Sequence, residues 1–412
     1  MNDPLRMPDL KLRHITTFLR CCEHGSLSRG ASHLGLSQPA VTLAIGKLEA
    51  AVGACLLHRH AQGVVPTEAG EVFRRRAGRM EDQLTRAMAD TVAAHIPKDL
   101  AVARSLGRFG LRHARALTAM QAAESLSAAS RDTGASPTSL HQALTELQTD
   151  LGRSLTLRGE SGVVLNAAGQ RLAVRSALAL NELQQANDEL RELEGRMEGR
   201  IRVASLPLAR TQLLGRIISR LLAQHPQARI EVLDGSYDTL SRALRTGKCD
   251  LLIGALRYGT TVDGLHGEVL FDDPYEITAR ANHPIHAIGR AGLEDLLDFP
   301  WVAQHSNTPI RMAFDELFEG AASRPRVDVE SSSLVLTRAI LLDSDHLAML
   351  SRRQIAIEMQ VNLLRAVSLA PEVANRLSAR AIGVTTRLDW LPSRLQQAFL
   401  EVLREEAKNM RT

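Results

Sequence analysis

Gly35-Leu36-Ser37-Gln38-Pro39-Ala40-Val41-Thr42-Leu43-Ala44-Ile45-Gly46-Lys47-Leu48-Glu49 reads as a turn that launches a helix with one apolar side. Gly35 supplies the turn, Ser37 caps the helix, and Pro39 sits in the first turn, where a missing N–H loses nothing. Val41, Ile45 and Leu48 recur at helical spacing and face inward, while Gln38, Thr42 and Lys47 face outward. Upstream, Leu12, Ile15, Phe18 and Leu19 mark a first helix ended by Gly25; Ser26 caps a short second helix from Ser28 to Leu34. Downstream, Arg59 and His60 precede Gly63 in a hairpin wing. The segment therefore reads as a winged helix-turn-helix. Short polar groups at the start of its third helix suit base edges, and Lys47 suits phosphate. A three-helix cluster used only for packing or protein contact remains the competing reading, since fold alone does not fix function.

Shifted against itself by 99 positions, the chain repeats this segment without a gap: 18 of the 59 positions from Leu12 to Gly70 are identical. Leu12-Arg13-His14 meets Leu111-Arg112-His113, and Gly63-Val64-Val65 meets Gly162-Val163-Val164. Self-similarity over a whole folding unit implies a second helix-turn-helix over the same scaffold. Its outward residues differ: Gln38-Pro39 is answered by Pro137-Thr138, Lys47 by Glu146 and Ala51 by Asp150. Carboxylates beside phosphates repel, so this copy is expected to be mainly structural, although His141, Gln142, Arg153 and Arg158 could still touch DNA. Residues 10–76 carry nine Lys/Arg against four Asp/Glu; residues 109–175 carry seven against five. The first copy is the more basic one.

Each copy runs into a long helix. Phe73, Ala77, Met80, Leu84, Ala87 and Thr91 alternate spacings of four and three; Leu172, Ala179, Leu183, Ala186, Leu190, Leu193 and Met197 keep heptad register. Such stripes are seams for helix pairing, and two of them suggest two dimer interfaces. Pro97, Gly107 and Gly110 mark the joint between the copies. From Gly199 the pattern changes to strands alternating with helices, the signature of an α/β sheet with ligands outside strand C-termini.

Among the 412 residues, 44% hydrophobic and 23% charged is the composition of a soluble globular chain, with a net charge of +4. Aromatic residues make up 3%, too few for single-strand binding by base stacking. Cys21, Cys22, Cys55 and Cys249 form no metal-type spacing and read as reduced cytosolic thiols. No leader or bilayer-length apolar run is present, so a cytoplasmic protein with no membrane contact is expected. No nucleophile triad, carboxylate pair, phosphate loop or metal set emerges, so neither catalysis nor a cofactor is expected.

Leu36-Ser37-Gln38-Pro39-Ala40-Val41-Thr42, Lys47-Leu48-Glu49, Val52-Gly53, Leu57-His58-Arg59 and Pro66-Thr67-Glu68-Ala69-Gly70 resemble the signature of LysR-type transcriptional regulators. Leu57-His58 departs from the usual Leu-Phe, which concerns packing under the wing. Gly199-Arg200-Ile201-Arg202-Val203, His225-Pro226 and Gly247-Lys248-Cys249-Asp250 resemble the same family's effector domain. Pro207-Leu208-Ala209-Arg210-Thr211, Asp234-Gly235-Ser236-Tyr237-Asp238 and Phe271-Asp272-Asp273-Pro274 resemble its galactose-binding-protein-regulator branch.

The resemblance implies an α plus α/β chain: two tandem winged helix-turn-helix domains with long linker helices, then a two-subdomain type 2 periplasmic-binding-protein-like effector domain. Expected boundaries are 8–68 for the DNA-binding domain, 69–96 for its linker helix and 97–108 for the joint. The degenerate second copy takes 109–167, its linker helix 168–198, and the effector domain 199–412. Crossings between the two effector subdomains are expected at Ile277–Ala281 and Leu364–Ser368. DNA contacts are expected from Ser37, Gln38, Pro39, Ala40, Thr42, Lys47, Arg59 and His60. The implied cleft takes Ser205, Leu206, Pro207, Leu208 and Arg257, then Ser306, Asn307 and Thr308, and finally Ser331, Ser332 and Ser333. A sugar or organic anion is the implied effector, because hydroxyls and helix N-termini favour such ligands. Double-stranded operator DNA, a second copy of the chain (as homodimer or homotetramer) and RNA polymerase are the implied partners. The alternative is a small-molecule-binding adaptor that acts through protein contacts with little DNA reading.

Overall fold

A computed structural model describes residues 10–410 except 98–101, 103–104, 124, 161, 196–198, 258–263 and 307. The chain divides into two compact units, the first taking in nearly everything up to Arg200.

In the first unit, α1 (Leu12–His24), α2 (Leu27–Leu34) and α3 (Gln38–Val52) precede a hairpin of β1 (Leu57–His60) and β2 (Gly63–Pro66). The long helix α4 (Glu68–Ala89) follows. Local chemistry sets these boundaries. Ser26, Ser37 and Thr67 each accept a backbone N–H three residues on, and Gly25, Gly35 and Gly53 end helices in the left-handed region. Ile15, Phe18, Val41, Ile45 and Leu48 form the core beneath, each at most 1% exposed.

The same order of elements then returns as α5 (Leu111–Ala122), α6 (Leu126–Thr133), α7 (Pro137–Leu151), β3 (Thr156–Gly159), β4 (Gly162–Leu165) and α8 (Ala167–Leu193). Correspondence reaches single contacts. Glu49 Oε1 accepts the Leu56 N–H at 2.8 Å, and Gln148 Oε1 accepts the Leu155 N–H at 2.8 Å. A Cβ on Gly70 would lie 1.9 Å from the Leu56 carbonyl oxygen, and one on Gly169 would lie 2.2 Å from that of Leu155. Each glycine lets the long helix start directly on the wing strand.

Helices α4 and α8 pack against each other antiparallel, since partners on α8 fall from Glu189 to Arg175 as α4 rises from Arg75 to Gln83. Phe73, Ala77, Met80 and Leu84 on one helix, and Leu172, Ala179, Leu183 and Ala186 on the other, are all buried. Arg76, with 0% exposure, donates to Glu182 at 2.9 Å, to Gln185 at 2.5 Å and to Glu189. Arg175 donates to Gln83 at 2.7 Å. Positions 76 and 175, like 83 and 182, stand one repeat length apart. The two contacts are therefore mates about a pseudo-two-fold, the arrangement of an isologous interface. The two seams expected to join separate chains are spent on each other within one chain. One continuous core runs from Leu10 to Leu190.

The second unit is built on a mixed sheet. It begins with β5 (Arg200–Ser205), α9 (Leu213–Gln224), β6 (Arg229–Leu233), α10 (Tyr237–Arg245), β7 (Leu251–Ala255) and β8 (Leu265–Arg280). Next come α11 (Leu293–Leu297), β9 (Trp301–Ala303), α12 (Pro309–Leu317), β10 (Val327–Glu330), α13 (Leu334–Asp343) and β11 (Leu347–Ser351). It closes with α14 (Ala356–Gln360), β12 (Leu364–Ala366), α15 (Pro371–Ala374), β13 (Ala379–Arg387) and α16 (Arg394–Lys408). The strand order is β10-β9-β11-β8-β13-β7-β5-β6, with β12 also on β8.

Strand β8 belongs to both halves of this sheet: Leu265 to Pro274 pair with β13, and Tyr275 to Arg280 pair with β11 and β12. The passage between the halves is thus at Pro274-Tyr275. The expected crossings, Ile277–Ala281 and Leu364–Ser368, instead pair with each other inside the second half. No helix among the described residues is long and apolar enough to cross a membrane.

Candidate functional site

Ser37 Oγ accepts the Ala40 N–H at 3.3 Å and so starts α3, whose first residues Gln38, Pro39 and Ala40 are exposed. Gln38 Oε1 accepts the Ser28 hydroxyl at 2.9 Å, which ties that flank of α3 to α2. Thr42 is half-buried and Lys47 exposed. Nine residues at about 100° each carry Lys47 to the flank opposite Gln38. There it borders a recess of about 660 Å³ with Arg13, His14, Arg20 and His33. Burial lowers the pKa of His14, and the cations Arg13, Lys11 and Lys47 lower it further. The expected contact set therefore divides between two flanks of one helix.

Arg59 and His60 are exposed on the wing. The wing is fixed where the Val64 N–H meets the Gly25 carbonyl at 3.0 Å; a Cβ on Gly63 would lie 2.2 Å from that oxygen. Two features of this face escape a reading of the sequence alone. Leu43 is 59% exposed at the middle of the outward side of α3, and Arg29 is exposed at the start of α2. Leu43 has a signal: it lies between the inward positions 41 and 45, so its residue type misleads where its spacing does not.

In the second segment both acids that suggest repulsion are ion-paired, Glu146 at a part-exposed position of α7 and Asp150 at a buried one. Glu146 Oε2 is 2.5 Å from Arg112 and 3.0 Å from His113, and Glu146 Oε1 accepts from Gln142 at 3.2 Å. Hydrogen bonding from His113, and then the charge of Arg112, hold the Glu146 carboxyl below its ordinary range. Asp150 is 6% exposed and pairs with Arg108 at 3.0 Å. Each of the two carboxylates thus has a cation of its own unit as partner, Arg112 for Glu146 and Arg108 for Asp150. Ser139, His141, Gln142 and Thr145 stay exposed on α7, and Arg153 and Arg158 on the loop and wing that follow.

In the second unit a cavity of about 420 Å³ opens between the loop before α9 and the starts of α13 and α14. Of the expected effector residues, Pro207, Ser332 and Ser333 line it. Ser205 and Leu208 are buried, and Leu206 packs over Gly254. Arg257 stacks 4.0 Å above the Tyr237 ring and lies 3.7 Å from Asp238. Thr308 caps α12, Ser306 is exposed, and Ser331 accepts the Ser333 N–H at 3.1 Å. Asn307 lies outside the described residues.

Sequence reasoning misses three arginines that line the cavity: Arg210, Arg338 and Arg353. Arg353 also reaches Asp273 at 3.3 Å, and Arg380 holds the other oxygen of that fully buried carboxylate at 2.9 Å. These contacts sit where β8 passes between the two halves of the sheet. Burial pushes the Cys21 thiol up to about 11, and those of Cys22 and Cys249 up to about 12, so none is a thiolate at neutral pH.

Comparison with known proteins adds two family matches. Residues 12–71 match the bacterial regulatory helix-turn-helix protein of the LysR family, and residues 194–408 match the LysR substrate binding domain. The chain is 31% identical over 398 residues to the HTH-type transcriptional regulator GalR of Pseudomonas putida, covering 96% of each. It is 25% identical to the uncharacterized HTH-type transcriptional regulator YdcI of Escherichia coli, covering 72% of this chain and 96% of that one. Among solved structures, a full-length OxyR point variant from Pseudomonas aeruginosa aligns with a TM-score of 0.54 at 21% identity. That alignment covers 73% of this chain and 95% of the other.

Proposed function

The chain belongs to the LysR family of transcriptional regulators, and on that premise we propose that the α1–α3 unit and its wing read operator DNA under control of an organic anion. The family consists of DNA-binding regulators with an effector domain, not enzymes. The carrying observation is the exposed face of α3 and its wing: Gln38, Pro39 and Ala40 at the helix start, Lys47 beside Arg13 along it, and Arg59 on the hairpin. Such a face brings small polar groups to base edges and cations to phosphates. It disfavours an adaptor acting only through protein contacts. Residues 109–167 we take as a second winged helix-turn-helix, supported by the order of its elements and by the matched contacts of Gln148 and Gly169.

The cavity favours an organic anion over a neutral sugar. Arg210, Arg338 and Arg353 line it with no carboxylate among the other lining residues; each pairs outside it, with Asp234, Glu358 and Asp273, and the N-terminus of α13 opens on it through Ser333. An anion seated on Arg353 competes with Asp273 for that guanidinium, which links occupancy to the β8 passage.

Gel-shift titration across salt concentrations tests DNA reading. Lys47→Glu should weaken binding and lower the slope of log affinity against log salt by about 1. Unchanged specific binding would remove the assignment. Thermal unfolding of the full chain against a panel of carboxylates and matched neutral sugars tests the cavity, since a ligand raises the midpoint by mass action. The carboxylates should raise it, and Arg353→Ala should abolish that rise.

A further inference from the structure

We propose that one chain carries a complete two-headed DNA reader, in which α4 and α8 pair in cis and both the α3 head and the α7 head grip one duplex as unlike halves. The inference rests on the reading of the α1–α3 unit as a DNA-binding head.

Three observations carry it. The first is the seam itself. Arg76 with Glu182 and Arg175 with Gln83 are equivalent contacts about a pseudo-two-fold, centred near Met80 and Ala179, which are also one repeat length apart. Two-fold related heads match the two-fold character of duplex DNA, whose half-sites lie about one helical turn or a multiple of it apart. Here both heads come from one polypeptide.

The second observation is that the seam is already closed. Burial of Met80, Leu84, Ala179 and Leu183 at 1–2% exposure, with Arg76 at 0%, leaves no apolar stripe for a second chain to cover. The α4 of a second chain could pair with this α4 only by displacing α8, which would strand Arg76 without Glu182 and Glu189.

The third is the outward face of α7. Glu146 is part-exposed but paired with Arg112 and His113, and Asp150 is buried against Arg108, so each carboxylate is already engaged within its own unit. What the face offers is His141, Gln142 and Thr145, with Arg158 on the wing at the position matching Arg59. Hydroxyl, amide and imidazole groups are base-edge partners, and an exposed wing arginine is a phosphate partner. Because Gln38-Pro39 and Pro137-Thr138 differ, the two heads present different groups and read different sequences.

The test is selection of full-length protein on a randomised double-stranded DNA library, followed by affinity measurement on the selected duplex. Each chain should select two unlike half-motifs in fixed spacing. His141→Ala combined with Arg158→Ala should lower affinity at least about tenfold, the loss of one base-edge contact and one phosphate contact. A repeat selection with that variant should keep the motif read by the α3 head and randomise the other. Both positions are exposed, and an unchanged thermal midpoint checks that the variant folds. A single half-motif, or two identical halves with no further element, would overturn the proposal while leaving the α3 head as a reader. Unchanged affinity of the double variant would overturn it too. Failure to select any DNA would remove the DNA-reading assignment as well.

Discussion

The first and second segments of the N-terminal unit share a scaffold down to individual hydrogen bonds, yet their shared seam is chemically lopsided. On one side of the pseudo-two-fold, a fully buried Arg76 meets two carboxylates; on the other, Arg175 meets the neutral Gln83. A seam between two identical chains would have to repeat each contact. Within one chain that constraint is absent, and one half is an ion-pair network where the other has an amide contact. Desolvation alone would lower the Arg76 pKa, but Glu189 and Glu182 more than offset it and hold the guanidinium charged. A joint made within one chain can differ between its two halves, which a joint between identical chains cannot.

The largest effect should come from the charged half. Arg76→Ala leaves Glu182 and Glu189 without their buried partner and should cost about 3–5 kcal/mol in denaturant unfolding. Arg175→Ala, which loses a neutral contact at a half-buried site, should cost about 1 kcal/mol. Equal losses would break the claim that the halves have diverged.

Gly70→Ala and Gly169→Ala sharpen the opposite claim, that the scaffold is shared. Each methyl meets a backbone carbonyl at about 2 Å, so each should destabilise by roughly 1–3 kcal/mol, and by similar amounts. A loss at only one of them would show that the wing-to-helix junctions differ.

The smallest effect concerns acid. Burial lowers the His113 pKa, and the neutral ring accepts the Gly110 N–H at Nδ1 while donating from Nε2 to Glu146. A histidine whose folded pKa is depressed supplies stability above its unfolded value of about 6.5 and loses it as pH falls. Unfolding midpoints should therefore drop below about pH 6.5. His113→Gln should flatten part of that drop, with His14, His283 and His286, shifted in the same direction, supplying the rest.

The fold was legible in the sequence wherever the deciding chemistry is local. Ser26, Ser37, Gly25 and Gly35 set helix ends through contacts within five residues, and those ends fall within a residue of expectation. A heptad stripe, by contrast, states that a helix needs a partner and not which one. Two such stripes in one chain satisfy each other as well as they could satisfy two copies. The same limit hid the fate of Glu146 and Asp150. Position against Lys47 and Ala51 revealed the change of charge, whereas the partners Arg112 and Arg108 come from tertiary packing. Arg210, Arg338 and Arg353 come together from three separate stretches of chain without a motif, so the cavity's charge became visible only once folded.

The pairing of α4 with α8 in cis is tested most directly by a cross-link across it. Gln83→Cys and Arg175→Cys place two thiols at a contact seen within one chain, and Cys55→Ser removes the exposed native thiol. After reaction of the full-length variant with a short bis-maleimide, denaturing mass analysis should find the linker between positions 83 and 175 in species of single-chain mass. Covalent pairs of chains joined through those two positions would contradict it.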